Sequence, residues 1–332
     1  MIYHHRTVYG GQDEGHHGFD RYKQQLAVRA RRDGIGERTI ETTVPRLQLN
    51  SGVIQLDRAQ PGNVANPNAT PAFAPYRRKH VTPELIARGR AVYEANYPRL
   101  ARIEALTGVD ATIPISIFGQ ETHYGLITGG FDLLDALATL AYEGRRREFF
   151  ENEFVAALRL LESGTPRIYL RGSWAGATGF PQFMPSAALR LAVDGDGDGR
   201  ANIWSDQADA LASIGNFLKH SGWRDGVHWG VAVRTPSDLN RRAIRNRHSV
   251  GRCPRVIARQ SRSLSMRDWR SLGVVPIGRS LPDNELASLI EPDGPRSTAY
   301  LVTANYRAIL AYNCSNFYAL SVGLLADAIT PR

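Results

Sequence analysis

The spacing of apolar residues predicts that the first part of the chain is mostly helical. Apolar residues recur at helical spacing in Phe19–Arg32 and, over a longer stretch, in VTPELIARGRAVYEANYPRLARIEALTG, Val81–Gly108. Thr82 can cap the longer helix, because its hydroxyl can accept from free backbone N–H groups of the first turn. Gly108 can end this helix in a left-handed conformation, and Pro98 predicts a kink or a break within it.

The same pattern returns in TIPISIFGQETHYG, where Thr112 can cap a helix and Gly125 can end it. Nearly every residue between them is apolar or small, so this helix is expected to be largely buried, with Glu121 in its last turn or two. Further helices are predicted at Asp132–Tyr142, Arg146–Glu162, Ser186–Val193, Asp209–His220 and Phe317–Ile329.

The pattern changes after Gly222. The segment HWGVAVRTP reads as a strand, and the short apolar runs VVPI and YLVT follow a long basic stretch. Residues 224–305 are therefore predicted to be a small β-containing insertion in a mainly α (α+β) fold. Two other segments lack regular spacing: residues 1–18, rich in His and Gly, are expected to be disordered or tag-like, and Arg58–Pro75 is expected to be an extended surface segment.

Composition excludes a wholly disordered chain, since 42% of the 332 residues are hydrophobic and 9% are aromatic. The formal net charge of +9 predicts attraction to polyanions, whether nucleic acid, an anionic membrane surface or an acidic cell-wall polymer. No apolar run is long enough to predict a membrane span. The first residues lack the apolar core of a signal peptide, so the protein is either cytoplasmic or exported by a signal outside this sequence.

The chain has two cysteines, Cys253 and Cys314, without the spacing of a metal site or a disulfide-dense domain. They could pair, but two free, buried thiols are the expectation.

Glu121 is the first candidate for chemistry. It is the one carboxylate in GQETHYG, and Ile117, Phe118 and Tyr124 lie within about a turn of it. Removal of water from a carboxylate raises its pKa, and an acid held protonated near neutral pH can protonate a leaving oxygen. Most sugar-cleaving enzymes use two carboxylates, however. The alternative is an ordinary glutamate near a helix end that points to solvent.

A second candidate is GSWAGATGFPQFMPS, Gly172–Ser186. Its small residues would let the backbone approach a ligand closely while side chains such as Ser173 and Gln182 bind it. The aromatic faces of Trp174 and Phe183 suit sugar rings. A tight, well-packed loop between helices is the alternative.

A third candidate, DGDGDGRANIWSDQAD, has the spacing of a calcium loop. Three aspartates stand at ligand positions, a glycine follows at the sharp turn, and a backbone carbonyl comes next. Ser205 stands where a bidentate glutamate is expected, so Asp206 or Asp209 would have to complete the shell. The site is expected to be structural, and an aspartate-rich turn without metal is the alternative.

Two further stretches are less specific. Arginine recurs every few residues from Arg241 to Arg270, which is the best argument for a nucleic-acid binder, but the stretch has a single aromatic residue and could be a solvated face. In AYNCSNFYAL, Asn313, Ser315 and Asn316 precede a helix and can cap it, and Tyr312 and Tyr318 could be core residues.

Taken together, six segments resemble the lytic murein transglycosylase B family, a lysozyme-like family acting on bacterial peptidoglycan. The resemblance runs from about Phe19 to Ile329. In chain order the segments are IFGQETHYG, LDALATLAYEGRRREFFENEFVAAL, GSWAGATGFPQFMPS, AVDGDGDGRANIW, DALASIGNFLKHSGW and YNCSNFYALSVGLLAD.

The resemblance implies a role for each candidate residue. Glu121 corresponds to the single catalytic acid and base of the family. The substrate-binding residues implied around it, with Tyr124 added for its closeness in sequence, are Ser173, Gln182, Tyr124, Tyr312, Asn313 and Tyr318. The implied calcium ligands are Asp194, Asp196, Asp198, Arg200 and Asp209.

The implied fold is a lysozyme-like helical core with an additional helical subdomain and a small β subdomain. The expected segments are 19–108 for the N-terminal helical subdomain, 109–223 for the catalytic core with its calcium loop, 224–305 for the β subdomain and 306–332 for a helix returning to the core. Three departures concern substrate fit and metal affinity: Thr178 replaces a more usual Met, Phe217 replaces a Tyr of some members, and one extra residue precedes Asp209.

The implied activity is that of a lytic transglycosylase, which cleaves the β-1,4 bond between N-acetylmuramic acid and N-acetylglucosamine and leaves 1,6-anhydromuramic acid ends. A lysozyme-type hydrolase, a non-catalytic peptidoglycan-binding protein and a polyanion binder are the alternatives. Peptidoglycan glycan strands are the expected partner, with Ca²⁺ as a structural cofactor and no nucleic acid. A monomer in the periplasm is expected, with a membrane anchor in the native precursor and contacts to cell-wall synthesis or division proteins left open.

Overall fold

The computed structural model describes residues 10–60, 72–247 and 251–330. The helices in these residues are α1 (Gly10–Arg32), α2 (Glu37–Thr43), α3 (Ser51–Arg58), α4 (Phe73–His80), α5 (Pro83–Thr107), α6 (Thr112–Thr122), α7 (Leu133–Glu143), α8 (Arg147–Glu162), α9 (Pro185–Leu191), α10 (Gln207–His220), α11 (Pro254–Ile257), α12 (Met266–Ser271), α13 (Ala304–Tyr312) and α14 (Asn316–Ile329). Short 3₁₀ turns are Val44–Arg46 and Arg167–Tyr169.

The strands in the described residues are β1 (Phe131–Asp132), β2 (Arg171–Gly172), β3 (Gly230–Arg234), β4 (Leu264–Ser265), β5 (Val275–Pro276), β6 (Leu286–Ile290) and β7 (Ala299–Val302). β1 and β2 form a two-stranded ribbon, and the others form one antiparallel sheet in the order β4-β6-β7-β3-β5. This composition of many helices and one small sheet confirms the mainly α (α+β) fold class.

The chain divides into two compact units, each built from two separate stretches of sequence. The first unit comprises Met1–Ala65 and Thr128–Leu191, and the second comprises Asn66–Ile127 and Ala192–Arg332. The predicted segments 19–108 and 109–223 do not coincide with these units. Contacts between distant helices decide the grouping, since α1 packs with α7 and α8 while α5 packs with α6 and α10.

The first unit is centred on the packing of α7 against α8, where Leu137 and Phe154 are fully buried. α1 lies against this pair: the rings of Phe19 and Tyr142 meet edge to face at 5.4 Å, and the Tyr22 hydroxyl donates to Glu151 at 2.7 Å. α1 begins at Gly10, so the predicted disorder is wrong for residues 10–18; residues 1–9 lie outside the described range. Once its later turns are anchored, a helix extends at one backbone hydrogen bond per residue.

The second unit is centred on α6, which packs against α5, α10 and α14. All its residues from Thr112 to Gly119 are buried, as expected from its apolar sequence. The prediction of Thr112 as the cap is wrong, because the carboxylate of Asp110 accepts both the backbone N–H of Thr112, at 2.9 Å, and its hydroxyl. Glu121 lies in the last turn, as predicted.

α5 follows its sequence signals closely. The Thr82 hydroxyl accepts from the backbone N–H of Leu85 at 3.1 Å, and Gly108 ends the helix with a φ of 68°. Pro98 lies within one continuous helix, so no break occurs there. The extended segment predicted for Arg58–Pro75 falls mostly on residues 61–71, outside the described range, and Phe73 already begins α4.

The five-stranded sheet of the second unit has its own apolar core. Val233 and Leu301 face Met266 and Trp269 of α12, and each of these side chains is fully buried. The indole N–H of Trp269 donates to the carbonyl of Ala287 at 2.9 Å, which satisfies the one polar atom of this side chain.

Cys253 and Cys314 form a disulfide, with their Cα atoms 5.4 Å apart, so the expectation of two free thiols is wrong. Because the two cysteines are 61 positions apart, no local sequence pattern indicates that they pair. α11 lies at the turn between α13 and α14, where the side-chain amide of Asn316 donates to the Val256 carbonyl at 3.4 Å and accepts from Gln260 at 3.3 Å.

In the described residues no single helix has the length and hydropathy of a membrane span. The pair α13 and α14 meets both criteria only when taken together, across a bend of 114°.

Candidate active site

Glu121 lies at the carboxyl end of α6, half-buried, and accepts a hydrogen bond of 2.6 Å from the hydroxyl of Tyr318 to its Oε1 atom. The helix ends one residue later, and the next two residues, His123 and Tyr124, both have the left-handed conformation with φ of 50° and 60°. This sharp turn ends α6 at Thr122, one residue after Glu121. Because the Glu121 side chain is half-buried and bonded to Tyr318, it does not simply point to solvent.

Burial controls the protonation of Glu121. It raises the pKa of this carboxyl from its ordinary value to about 7, and the hydrogen bond from Tyr318 acts in the opposite direction by stabilising the charged form. A carboxyl with this pKa exchanges protons readily near neutral pH, which is the property required of one group that serves first as acid and later as base.

Tyr318 and Tyr312 frame Glu121 from the α13–α14 turn. Tyr318 is buried, and the Ser315 hydroxyl caps its helix by accepting from the Tyr318 backbone N–H at 3.4 Å. Burial and the nearby Glu121 carboxylate together raise the pKa of both phenols, so both remain neutral hydrogen-bond donors. Asn313 lies between them in sequence and is exposed.

Phe217 of α10 packs against Tyr312, with ring centroids 4.7 Å apart. A phenylalanine at this position supplies an apolar wall and no hydroxyl. Phe217, which stands where some members of the family have Tyr, therefore lies beside the Tyr312 ring.

Sequence reasoning missed the residues that α4 contributes. Tyr76 lies close enough to Glu121 for the two groups to interact electrostatically. Burial and the Glu121 carboxylate both raise the pKa of its phenol. Its ring stacks on His80, with centroids 3.9 Å apart and an interplanar angle of 15°, and it also lies 5.6 Å from Phe317 and 6.4 Å from Phe73. The spacing of the aromatic residues in FAPYRRKH could have predicted this helix. The first residues of this segment fall instead in the Pro-rich stretch that is predicted to be extended.

His80 and Gln120 join α4 to the end of α6 through two hydrogen bonds. The Gln120 amide donates to the backbone carbonyl of His80 at 2.6 Å, and its Oε1 atom is 3.1 Å from His80 Nδ1. Burial lowers the pKa of His80, which favours the neutral ring. Gln120 immediately precedes Glu121, so this pair fixes α4 relative to the carboxylate.

Tyr124 has a packing role in this structure. It is buried, its hydroxyl donates to the Leu85 carbonyl at 2.8 Å, and its ring meets Phe118 edge to face at 5.7 Å. Its ring also fills the space beside Gly119, where an added Cβ would lie 2.6 Å from the ring. The substrate contact predicted for Tyr124 stays a prediction beside these packing contacts.

The loop Gly172–Ser186 belongs to the first unit and is held by its own hydrogen bonds. The Ser173 hydroxyl accepts from the backbone N–H of Ala177 at 3.1 Å, and Thr178 and Phe183 exchange backbone hydrogen bonds at 2.8 and 3.0 Å. Gly172 is required here, because an added Cβ would lie 1.8 Å from the Ala177 carbonyl oxygen. The buried Thr178 hydroxyl donates to the Arg171 carbonyl at 2.7 Å, which explains how threonine suits this position.

Gln182 is half-buried with a φ of 52°, and its amide donates to the carbonyls of Thr128 at 3.1 Å and Gly179 at 2.9 Å. Phe183 is buried in the first unit, so its predicted contact with a sugar ring is wrong, whereas Trp174 is half-buried. Ser173 and Gln182 lie in the first unit and Glu121 in the second, and their role beside Glu121 stays a prediction.

The aspartate-rich loop belongs to the second unit. Asp194, Asp196 and Asp209 each present a carboxylate oxygen, and the three oxygens lie within 4.8 Å of one another. Three carboxylates at this separation repel one another unless a cation lies between them, and hard oxygen ligands suit Ca²⁺. The donor set therefore fits the predicted ion.

Two predicted ligands, Asp198 and Arg200, are not among these three grouped carboxylates. Asp198 is exposed, is not among the three grouped carboxylates, and accepts from the backbone N–H of Arg200 at 2.8 Å. Asp209, buried at the start of α10, accepts from the backbone N–H groups of Gly195 at 2.7 Å and Asn202 at 2.6 Å. Asp206 caps α10 by accepting from the Asp209 N–H at 3.0 Å, so Asp209 is the residue that completes the group.

A cavity of about 320 Å³ lies at the other end of α6, lined in part by Glu104, Asp110 and Asp327. These carboxylates already serve the fold. Glu104 accepts from the backbone N–H of Ala111 and Asp110 from that of Thr112, each at 2.9 Å, while Asp327 accepts from His228 and Trp229.

Comparison with known proteins finds transglycosylases, both among family models and among individual proteins. The family model described as the transglycosylase SLT domain matches residues 18–327. Membrane-bound lytic murein transglycosylase B of Escherichia coli (strain K12) is 31% identical over 320 residues, which are 94% of this chain and 79% of that protein.

Two solved structures are similar over their length. SltB3 from Pseudomonas aeruginosa in complex with NAG-anhNAM-pentapeptide has a TM-score of 0.83 and 36% identity, covering 94% of this chain and 79% of that one. The Escherichia coli lytic transglycosylase Slt35 in complex with calcium has a TM-score of 0.75 and 27% identity, covering 93% of each chain.

Proposed function

This chain belongs to the transglycosylase SLT domain family and is a lytic transglycosylase acting on peptidoglycan, and from that premise we propose that Glu121 alone carries out its chemistry. In this proposal Glu121 acts first as acid and then as base. The bond cleaved is the β-1,4 bond between N-acetylmuramic acid and N-acetylglucosamine, and the product ends in 1,6-anhydromuramic acid. The observation that carries the proposal is the half-buried Glu121 with its pKa of about 7, bonded to Tyr318.

In the first step Glu121 is protonated and donates its proton to the glycosidic oxygen. The bond from this oxygen to the anomeric carbon of the muramic acid then breaks, and the electron pair leaves with the N-acetylglucosamine oxygen. Glu121 becomes a carboxylate, and the Tyr318 hydroxyl stabilises that charge at 2.6 Å. The acetamido oxygen of the substrate can stabilise the cationic carbon meanwhile.

In the second step the 6-hydroxyl of the same muramic acid attacks the anomeric carbon and gives up its proton to Glu121. The 1,6-anhydro ring closes, and Glu121 returns to its protonated form. A nucleophile tethered to the reacting ring has an effective concentration on the order of 10⁵ M or more in good geometries, so no second carboxylate is needed to activate water. One carboxyl with a pKa near 7 is matched to both directions of transfer.

The residues around Glu121 bind and orient the sugar. Tyr312, Phe217 and Tyr76 provide aromatic faces, and the exposed amide of Asn313 provides hydrogen bonds. The sugar-binding roles that the family resemblance implies for Ser173 and Gln182, on a loop of the first unit, stay part of this proposal. The rigidity of their loop supports these roles, since both side chains are held by local hydrogen bonds.

Ca²⁺ binds to Asp194, Asp196 and Asp209 as a structural ion. It holds the loop that precedes α10, and α10 carries Phe217 next to Tyr312. Its contribution is to stability, and no catalytic step passes through it.

The protein works in the periplasm as a monomer, with glycan strands as its partner. The Cys253–Cys314 disulfide supports export, because disulfides persist in oxidising compartments and are rare in the cytosol.

Mass spectrometry of products released from purified peptidoglycan tests this function. The wild-type protein is expected to release muropeptides lighter by one water than hydrolysis products. Glu121→Gln is expected to release none while it keeps its fold and still binds the polymer. Glu94→Gln, an exposed glutamate of α5 in the same unit, is the matched control and should keep full activity.

Products with reducing ends would instead establish a lysozyme-type hydrolase. Substantial activity in Glu121→Gln would overturn the role of Glu121, and binding without turnover in the wild type would indicate a non-catalytic peptidoglycan-binding protein.

A further inference from the structure

Three exposed arginines, Arg252, Arg255 and Arg259, form what we call the arginine surface. None of them forms an ion pair with any residue in the described part of the chain. The surface therefore carries positive charge that the protein itself does not neutralise.

Three acidic residues of the β-containing region pair with other arginines. Asp283 pairs with Arg270 and Arg267, Glu285 pairs with Arg224 at 3.0 Å, and Glu291 pairs with Arg241 at 2.7 Å. The basic stretch thus contains arginines engaged by acids and exposed arginines that form no ion pair within the described residues, and Arg252, Arg255 and Arg259 belong to the second kind. Those engaged by acids help to hold the fold of the β-containing region, whereas the arginine surface is left for an external anion.

A covalent bond joins the segment that carries the arginine surface to the turn that frames the candidate active site. Cys253 follows Arg252 directly, and its disulfide partner Cys314 follows Asn313 in the α13–α14 turn. The same turn continues to Tyr318, whose hydroxyl contacts Glu121. The backbone of the arginine surface therefore lies within one disulfide of the turn that frames the catalytic carboxyl.

Hydrogen bonds reinforce this attachment. Asn316, the first residue of α14, donates to the Val256 carbonyl and accepts from Gln260, while its own carbonyl accepts from the Tyr306 hydroxyl at 2.9 Å. α11, which carries Arg255, is held in a single orientation relative to the turn. An anion bound there would have a defined position relative to the sugar bound at Glu121.

From these contacts we propose that the arginine surface binds the carboxylates of peptide stems on the same glycan strand whose sugars occupy the Glu121 site. This inference rests on the proposed function. Guanidinium groups pair with carboxylates through parallel hydrogen bonds, and these stems supply carboxylates at intervals along the polymer. The site would thus favour strands that still carry their peptides.

The sequence around the arginine surface favours this partner over nucleic acid. Single-stranded nucleic acid is usually held by aromatic side chains that stack on bases between the basic contacts. The segment GRCPRVIARQSR, Gly251–Arg262, contains no aromatic residue. Binding of a carboxylate requires only positive charge and hydrogen-bond donors, which the arginines provide.

The test compares Arg255→Gln/Arg259→Gln with wild type on two substrates: peptidoglycan with intact stems, and glycan strands freed of stems by an amidase. We expect KM for stem-bearing substrate to rise roughly three- to tenfold, the scale of two exposed ion contacts. KM for bare strands and kcat on both should stay unchanged. Arg88→Gln/Arg99→Gln, exposed arginines of α5 in the same unit, lowers the net charge equally and should leave both KM values unchanged.

An equal rise of KM on both substrates, or no rise on either, would overturn the proposal. Salt-dependent DNA binding that disappears in Arg255→Gln/Arg259→Gln, with KM unchanged, would assign the surface to nucleic acid. Failure of the proposed function is distinguishable, because the wild type would then release no anhydro ends from either substrate. The surface is in that case tested by co-sedimentation with the same two polymers, where loss of stem-dependent binding in the double variant supports it and unchanged binding overturns it.

Discussion

The Tyr318 hydroxyl donates a 2.6 Å hydrogen bond to Glu121, across 197 positions of sequence. Two opposing effects on the carboxyl meet in this contact. Burial favours the neutral acid, while the phenol favours the carboxylate, and the result is a pKa of about 7. Tyr318 therefore adjusts the acid strength of Glu121 as well as its position.

Tyr318→Phe removes the one contact that lowers the pKa of Glu121, so that pKa should rise above its wild-type value. The acid role requires protonated Glu121, and activity falls as pH rises through this pKa. The alkaline limb of the pH profile of kcat/KM should therefore move to higher pH in the variant. The maximal kcat should fall roughly tenfold, because the carboxylate formed in the first step loses a charge-assisted hydrogen bond.

Tyr300→Phe is the matched control, since Tyr300 is a buried tyrosine of the same unit, in β7. In Tyr300→Phe the alkaline limb of the pH profile of kcat/KM should stay at its wild-type position. A limb that stays in place in Tyr318→Phe, or that moves to lower pH, would show that the hydrogen bond does not set the pKa of Glu121.

The raised pKa of Glu121 also predicts a cost in stability. In the unfolded chain this carboxyl ionises near 4.5, whereas in the folded protein it keeps its proton up to about pH 7. Wild type therefore loses stability as pH rises from about 4.5 through about 7, because folding then buries a charge. Glu121→Gln does not titrate and should escape this loss.

We expect the free energy of unfolding of Glu121→Gln to exceed that of wild type by roughly 1–3 kcal/mol at pH 8. At pH 4 the gap should be smaller by that amount. Denaturant unfolding at both pH values measures the difference, with Glu94→Gln as the exposed control. If the difference in free energy of unfolding between Glu121→Gln and wild type does not change with pH, then folding does not raise the pKa of Glu121.

Local signals predicted the elements that position the site. The Thr82 cap and the Gly108 end of α5 are backbone requirements that residue type reveals directly. The apolar run before Glu121 likewise predicted a buried helix that ends beside it. Such features depend on neighbours within a turn or two, which is the range that periodicity can report.

Contacts between distant residues could not be predicted in this way. The pairing of Cys253 with Cys314 depends on how the chain after β3 returns to the α13–α14 turn. The stacking of Tyr76 on His80 depends on a short helix that follows a Pro-rich stretch. The family pattern implied Tyr318 as a substrate contact, but only the fold shows that its hydroxyl meets Glu121.

The grouping of carboxylates in the aspartate-rich loop predicts which residues bind Ca²⁺. Added Ca²⁺ should raise the Tm of the wild type, since an ion that binds only the folded state stabilises it by about 2.7 kcal/mol at a hundred times its Kd. Asp196→Asn removes one of the three grouped carboxylates and should lose most of this rise. Thermal unfolding with Ca²⁺ and with a chelator measures it.

Asp198→Asn is the control for the ligand set. Asp198 is a neighbouring aspartate of the same loop outside the group of three, so its variant should keep most of the Ca²⁺-dependent rise. Equal losses in both variants would favour the wider set that the sequence spacing predicts, with Asp198 as a ligand. No rise in the wild type would mean that the loop holds its shape without the ion.

The Cys253–Cys314 disulfide should affect both stability and the arginine surface. Cys253→Ser/Cys314→Ser opens a loop of 61 residues' separation, and the chain-entropy relation gives a loss of about 4 kcal/mol in the free energy of unfolding. Asn316 still holds α11 in this variant, so the fold near Glu121 should remain and kcat on bare strands should change little.

The same variant should raise KM for stem-bearing peptidoglycan, because Arg252, Arg255 and Arg259 would no longer be covalently fixed to the turn that follows Asn313. Dithiothreitol should have this effect on wild type and none on the serine variant, which serves as the control for reduction elsewhere. A serine variant with wild-type KM on both substrates would show that the hydrogen bonds of Asn316 suffice to place the arginine surface. A fall of kcat on bare strands would instead mean that the disulfide supports the Tyr318–Glu121 contact itself.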